Sequence, residues 1–152
     1  MKTIGMLGGM SWESSSVYYR IINEEIRHRL GGHHSAKSVM VSVDFAEIEE
    51  MQRAGDWAAA GEAMAEAARQ VEAGGADFLV ICTNTMHKLA PRVEAALGIP
   101  LLHIADAAAD AVKGAGIASV GLLGTRFTME EDFYLRKLQD RGLQVLVPDT
   151  EE

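Results

Sequence analysis

The segment Ala76–His87 reads A-D-F-L-V-I-C-T-N-T-M-H, and its character changes halfway along. Phe78 to Cys82 is an apolar, mostly β-prone run, the pattern of a strand buried on both faces of a parallel sheet. A long alanine-rich helical pattern precedes it and is stopped by Gly74-Gly75. Thr83, Asn84 and Thr85 then stand where the strand finishes and a helix begins. In open α/β sheets, ligands sit beyond the carboxyl ends of the strands. The unsatisfied N–H groups that open the next helix favour an anion such as a carboxylate. The turn therefore has two readings: a seat for a small acid with a hydroxyl beside it, or a plain cap for a helix beginning near His87. Taken alone, the cap is the simpler one.

Outward from this segment, strand and helix alternate. Thr3–Leu7 is a first strand, closed by Gly8-Gly9. Ser11 and Ser14 offer an N-cap for a helix through about Leu30, with Tyr18, Ile22 and Ile26 as its core stripe. Ser38–Val43 is a second strand, followed by a short helix, Ala46–Arg53, and a long one, Trp57–Ala73, capped by Asp56. Beyond the opening segment the pattern predicts a helix His87–Leu97, with Pro91 tolerable only near its first turn. It also predicts a fourth strand at Leu101–Ile104, a helix from Asp106 to Gly114, and a fifth strand at Ser119–Leu123. A helix Met129–Arg141 and a sixth strand Leu143–Val147 complete the series. Such alternation means an α/β fold with a parallel sheet and right-handed crossovers.

The chain has 152 residues, 48% of them hydrophobic, enough for one domain or one and a fraction. No apolar run is long enough to cross a bilayer, and the N-terminus reads as a strand ending in a glycine turn, not a signal peptide. A single cysteine excludes an internal disulfide and fits a reducing compartment, so a soluble cytoplasmic protein is expected. The formal net charge of −8 argues against a nucleic-acid surface. G-x-G-x-x-G, Walker A, C-x-x-C and H-E-x-x-H are all absent, and the adjacent His33 and His34 lack metal-site spacing, so no metal is expected. A Cys82–His87 nucleophilic pair is conceivable, but the spacing does not assure contact.

Ile4-Gly5-Met6-Leu7-Gly8-Gly9 is echoed by Val120-Gly121-Leu122-Leu123-Gly124-Thr125, each a strand and turn opening a helix. The echo suggests two similar lobes, 1–100 and 101–152, although any two such strands look somewhat alike. The second lobe has no counterpart of the C-T-N-T turn before Glu152.

Four motifs, L-G-G-M-S-W-E-S, C-T-N-T-M-H, L-L-H-I-A-D and L-L-G-T-R-F-T-M-E, occur in that order between Met1 and about Asp149. Together they resemble the aspartate/glutamate racemase family, in particular its bacterial acidic and broad-specificity branch. The resemblance implies Rossmann-like parallel-sheet lobes related by pseudo-symmetry, the second incomplete here. It also implies a small amino-acid substrate, an isomerase that needs no cofactor, and homodimers. Other enzymes of the superfamily, hydantoin racemases or maleate isomerases, and a non-catalytic acid-binding fragment are the alternatives.

In that family two acid/base groups, commonly cysteines, face each other across the substrate α-carbon. A thiol needs only a modest downward shift to act as a base at neutral pH. Aligning on Asn84-Thr85-Met86-His87 puts Thr83 where the first cysteine normally stands, with Cys82 one residue earlier. Neighbouring strand residues point to opposite faces, so the resemblance implies Thr83 as the acid/base position and Cys82 as its alternative. A hydroxyl is a far poorer base than a thiol, and the two directions of reaction are then expected to be unequal. The second cysteine, in a G-C-T-E-like motif, is expected beyond Glu152, leaving this chain alone inactive. The resemblance further points to Met10, Ser11, Asn84, Thr85 and Thr125 as substrate-binding, all at strand carboxyl ends. Gln52 and Arg53, after the second strand, are placed to reach a side-chain carboxylate.

Overall fold

The computed structural model describes residues 1–148. It is an α/β protein with parallel strands, as the alternation predicts. The elements are β1 (Ile4–Gly8), α1 (Trp12–Leu30), β2 (Ser38–Ser42), α2 (Phe45–Ala54), α3 (Trp57–Ala73), β3 (Phe78–Ile81), α4 (Ala90–Glu94), α5 (Ile104–Gly114), β4 (Ser119–Gly121), α6 (Arg126–Glu130), α7 (Asp132–Asp140) and β5 (Gln144–Leu146). The chain separates into two compact units. The first comprises Met1–Thr83 and Leu89–Leu101; the second comprises Asn84–Lys88 and the chain from Leu102 onward. A cut at residue 100 would put Asn84–Lys88 with the first lobe, whereas these residues pack within the second unit.

In the first unit β1 is central, with β2 and β3 parallel on either side. Gly5 to Gly8 are all buried. β3 is less uniform than a strand sealed on both faces: Leu79 and Ile81 are buried, while Phe78 and Val80 are half-buried. α3 lays Ala60, Gly61, Met64, Ala65, Ala67, Ala68 and Val71 inward at helical spacing. Its start is fixed by Asp56, whose carboxylate accepts the Ala59 N–H at 2.9 Å. The stripe expected on α1 as core, Tyr18, Ile22 and Ile26, is only half-buried, and the buried residue of that helix is Ser15.

Three predicted elements differ. Of the expected strand Leu101–Ile104, only Leu101 pairs, as a single bridge to Leu79. His103 then accepts the Ala105 N–H on Nδ1 at 3.2 Å, which caps α5 and starts the helix at Ile104. The expected helix His87–Leu97 is a 3₁₀ turn, Thr85–Leu89, followed by α4 with Pro91 in its first turn. Proline has no N–H and crowds the preceding turn, so a helix can begin at Pro91 but not run through it. The expected helix Met129–Arg141 is divided at Glu131, which is extended at φ −97° and ψ 149° and separates α6 from α7. The predicted sixth strand is present as β5, and the motif limit near Asp149 lies outside the described residues.

In the second unit β4 and β5 pair in parallel. Ala105, Ala109, Tyr134, Leu138 and Leu143 form its core, with Ile104, Val112, Leu122, Phe133 and Val145 packed around them. Across α5 and α7, Asp106 accepts from Lys137 at 2.8 Å and Arg141 at 3.1 Å, and Arg141 also pairs with Asp110.

Gly9 turns the chain out of β1 at φ +95°, and a Cβ there would lie 2.2 Å from the Val43 carbonyl oxygen. Gly55 ends α2 at φ +73°, and a Cβ there would meet nothing within 4 Å. Alanine at Gly55 therefore meets backbone strain alone, about 1 kcal/mol, while alanine at Gly9 meets strain and collision together, more than about 2 kcal/mol. Urea unfolding of the two variants should show that order; equal losses would remove the close Gly9–Val43 approach from the account.

Candidate functional site

The first unit supplies the ends of β1 and β3. After β1 the chain passes through Gly9 and Met10 into α1, and the Met10–Ser11 peptide is cis. Met10 is buried and Ser11 half-buried. Ser11 holds the N-cap position but makes no side-chain cap bond, contrary to the capping role expected for Ser11 and Ser14. Ser15 ties this corner instead: its hydroxyl donates to the Ser11 carbonyl at 3.1 Å and accepts the Gly9 N–H at 2.9 Å. The Ser11 hydroxyl is the chief cause that holds the Glu13 carboxyl below its ordinary pKa. Gln52 is half-buried and Arg53 exposed, both on α2. The open groove along Glu47, Glu50, Met51, Ala54 and Asp56 is lined by carboxylates and suits no anionic ligand.

Beyond β3, Cys82 continues the ladder by donating its N–H to the Leu7 carbonyl at 2.9 Å. Its side chain is 0% exposed, and burial pushes the thiol up to about 12. Thr83, the next residue, is half-buried. A thiol so far from its thiolate is a poor base and a poor nucleophile at neutral pH.

The second unit begins with the rest of the motif. Asn84 is exposed, and its carbonyl accepts the His87 N–H at 3.0 Å. Thr85 is buried, and its hydroxyl oxygen lies 3.0 Å from that of Thr125, 40 residues away in sequence. Thr125 in turn lies 3.2 Å from the Thr128 hydroxyl. The turn after β3 and the turn after β4 are thus joined through hydroxyls.

His87 and His103, both buried, meet edge to face with ring centroids 4.5 Å apart. His87 Nε2 accepts the Ile104 N–H at 3.3 Å and His103 Nδ1 the Ala105 N–H at 3.2 Å, so both rings serve the opening turn of α5. Accepting nitrogens carry no proton. Burial first, then His87 and Lys137, lower the His103 pKa to about 4, against a smaller upward pull from Asp106. Lys88 pairs with Glu131 at 2.8 Å, and its ammonium stands 5.5 Å above the Phe127 ring. Among the described residues no group of three or more His, Cys, Asp or Glu side chains could hold a metal ion.

Of the residues singled out from sequence, the structure brings Thr85 and Thr125 into direct contact. Met10, Ser11, Gln52, Cys82 and Thr83 belong to the other unit. Sequence reasoning missed Thr128, His103 and the Lys88–Glu131 pair. The i, i+3 spacing of Thr125 and Thr128 at a helix start was the available signal for the first.

The fold and its strand-end turns define a class of parallel α/β proteins. The family described as Asp/Glu/Hydantoin racemase matches residues 7–152, and the chain belongs to it. A candidate Asp/Glu racemase from Yersinia pestis superposes with a TM-score of 0.94 at 52% identity, covering 99% of this chain and 66% of that one. An aspartate racemase homologue from Pyrococcus horikoshii gives 0.89 at 32% identity, again covering 99% and 66%. The broad specificity amino-acid racemase RacX of Bacillus subtilis is 28% identical over 88 residues, which are 58% of this chain and 38% of RacX. The chain thus spans about two thirds of the length of these solved structures.

Two outcomes are expected. Cys82 should react with a thiol reagent orders of magnitude more slowly in the native protein than after denaturation; fast native labelling blocked by aspartate would move the chemistry to Cys82. For His103 the folded pKa, about 4, lies below the ordinary 6.5, so the unfolded chain binds its proton more readily between these values. The stability it contributes is complete above pH 6.5 and drains away as pH falls toward 4. Thermal melts from about pH 7 to about pH 5 should therefore slope downward, and His103→Asn, which keeps a capping acceptor without a titrating ring, should flatten that slope.

Proposed function

We propose that the protein, at the length of its relatives, is a cofactor-independent racemase of acidic amino acids, aspartate or glutamate. It works in the cytoplasm, as a homodimer. What carries this reading is the turn after β3, where a sealed Cys82 is followed by a half-buried Thr83 and by a Thr85 bonded to Thr125. Inversion requires a proton removed from one face of the α-carbon and one delivered to the other. Thr83 is the group on one face. Its hydroxyl stays protonated at neutral pH, so it gives its proton to the α-carbanion while taking another from water, and in the reverse direction passes the α-proton on to water. In a chain of the relatives' length, a second acid/base group serves the other face. On the resemblance, Asn84, Thr85 and Thr125 of the second unit take the α-carboxylate; the resemblance also assigns Met10, Ser11 and Gln52 of the first unit to the substrate.

Resemblance supports the activity; the buried thiol supports the choice of Thr83 over Cys82. The test compares this chain with one extended to the length of the relatives, each incubated with L- and D-amino acids and with a 5-substituted hydantoin in deuterium oxide. The extended chain should wash deuterium into the α-position of an acidic amino acid without pyridoxal phosphate or metal, and the 152-residue chain should not. No exchange from a folded extended chain, or exchange only with a hydantoin, overturns the acidic-racemase reading. Turnover by the short chain at a comparable rate overturns the two-base account.

A further inference from the structure

We propose that Thr128 is a positioning residue whose buried hydroxyl donates to Thr125, so that the Thr125 proton is free to turn outward to the substrate carboxylate. This rests on the reading that Thr85 and Thr125 receive that carboxylate. Thr128 is 3% exposed, and the hydroxyl partner it has among the described residues is Thr125. A threonine hydroxyl has one proton to give and two lone pairs with which to accept. If Thr128 accepted from Thr125, its own proton would be buried without an acceptor, at a cost exceeding the worth of an ordinary hydrogen bond. Thr128 therefore donates. The Thr125 oxygen is occupied from behind, and its proton is turned toward Thr85 or outward.

Where Thr85 donates to Thr125, the Thr125 proton is left pointing out of the chain; where Thr125 donates to Thr85, the last proton is held by the buried Thr85. Thr125 is exposed, so the first arrangement is the one that presents a donor to a ligand. Thr125 also sits at the N-cap of α6 without spending its hydroxyl on a cap bond. Each bond accepted polarises a hydroxyl and makes it a better donor, and a carboxylate is a ligand that only accepts. The room for Thr128 comes from Gly124: a Cβ there would lie 3.2 Å from Thr128 Cβ and 3.3 Å from its methyl. A residue needed only to fill space would be replaced equally well by valine. One needed for its proton would not.

The experiment titrates L-aspartate and L-glutamate into this chain and into its Thr128→Val and Thr128→Ser variants, following Kd by NMR. Three-bond couplings at Thr125 are measured in the ligand-free proteins to give its χ1 rotamer. Serine should stay within about twofold of the parent, and valine should weaken binding about three- to tenfold, the size expected for one hydrogen bond. Thr125 should hold one rotamer in the parent and the serine variant and average among rotamers in the valine variant. Parent-like affinity in a folded valine variant, or an unchanged Thr125 rotamer there, overturns the proposal. Should the valine variant not fold, Gly124→Ala, which displaces Thr128 without removing it, must weaken binding, and parent-like affinity again overturns it. If even the parent binds neither amino acid, the carboxylate reading falls; the ligand-free couplings separate that failure from a failure of the hydroxyl chain itself.

Discussion

The first unit depends on how closely α3 can approach the sheet, and missing side chains set that distance. A Cβ at Gly5 would lie 2.5 Å from Val71 Cγ1, and one at Gly74 would lie 2.7 Å from Val39 Cγ1. The buried face of α3 is mostly alanine, so helix and strand backbones meet with little between them. Interiors packed to this density tolerate neither an added methyl nor a void. The same economy recurs at Gly8, where a Cβ would fall 2.5 Å from the Ser15 hydroxyl that holds the Gly9 N–H. Close packing therefore extends from the middle of β1 to its carboxyl end, where Met10 and Ser11 leave the sheet.

Against this background, the legible part of the sequence was what repeats. Apolar runs at Ile4–Gly8 and Phe78–Ile81 and the alanine period of Trp57–Ala73 each signal one element, and each element is present. Where a side chain competes with the backbone, periodicity was misleading. The apolar look of Leu101–Ile104 hid His103, whose ring nitrogen starts a helix instead of letting a strand continue. The helical look of Met129–Arg141 hid Glu131, whose carboxylate is held by Lys88, 43 residues earlier. Long-range partners leave no local signature, so no reading of the segment itself finds them. The candidate site was legible in the same proportion: the strand-end positions were, but the Thr85–Thr125 contact, which unites two turns 40 residues apart, was not.

The second unit binds its opening turn to α5 with uncharged groups. Two imidazoles accept consecutive N–H groups, of Ile104 and Ala105, where an anion or a carboxylate cap would ordinarily sit. The positive end of a helix opposes a cation, so neutral rings are the forms that fit. Charge enters α5 here in pairs: Asp106 and Asp110 meet Lys137 and Arg141 of α7 and its end. The small core of Ala105, Ala109, Tyr134, Leu138 and Leu143 lies between α5 and α7. Such a unit has few residues with which to offset the loss of a cap. That makes the histidine pair a structural element before it is anything else.

A threonine on one face of the α-carbon and a stronger base on the other would not make the reaction run one way. Enantiomers have equal free energies in water, so the ratio of kcat/KM for the two directions is fixed at one whatever the residues are. Unequal bases instead divide the work unequally between steps. A thiolate removes its proton readily, whereas a hydroxyl must deliver or relay one with little driving force, so the intermediate returns to its starting enantiomer more often than it crosses. If Thr83 stands on one face as proposed, it differs from a cysteine there in that partition: solvent hydrogen would enter one enantiomer many times for each inversion. kcat and KM can then differ strongly between enantiomers while their ratio does not. The sequence expectation of unequal directions therefore concerns saturation and exchange, and the buried Cys82, with its thiol raised to about 12, is in no position to restore the balance.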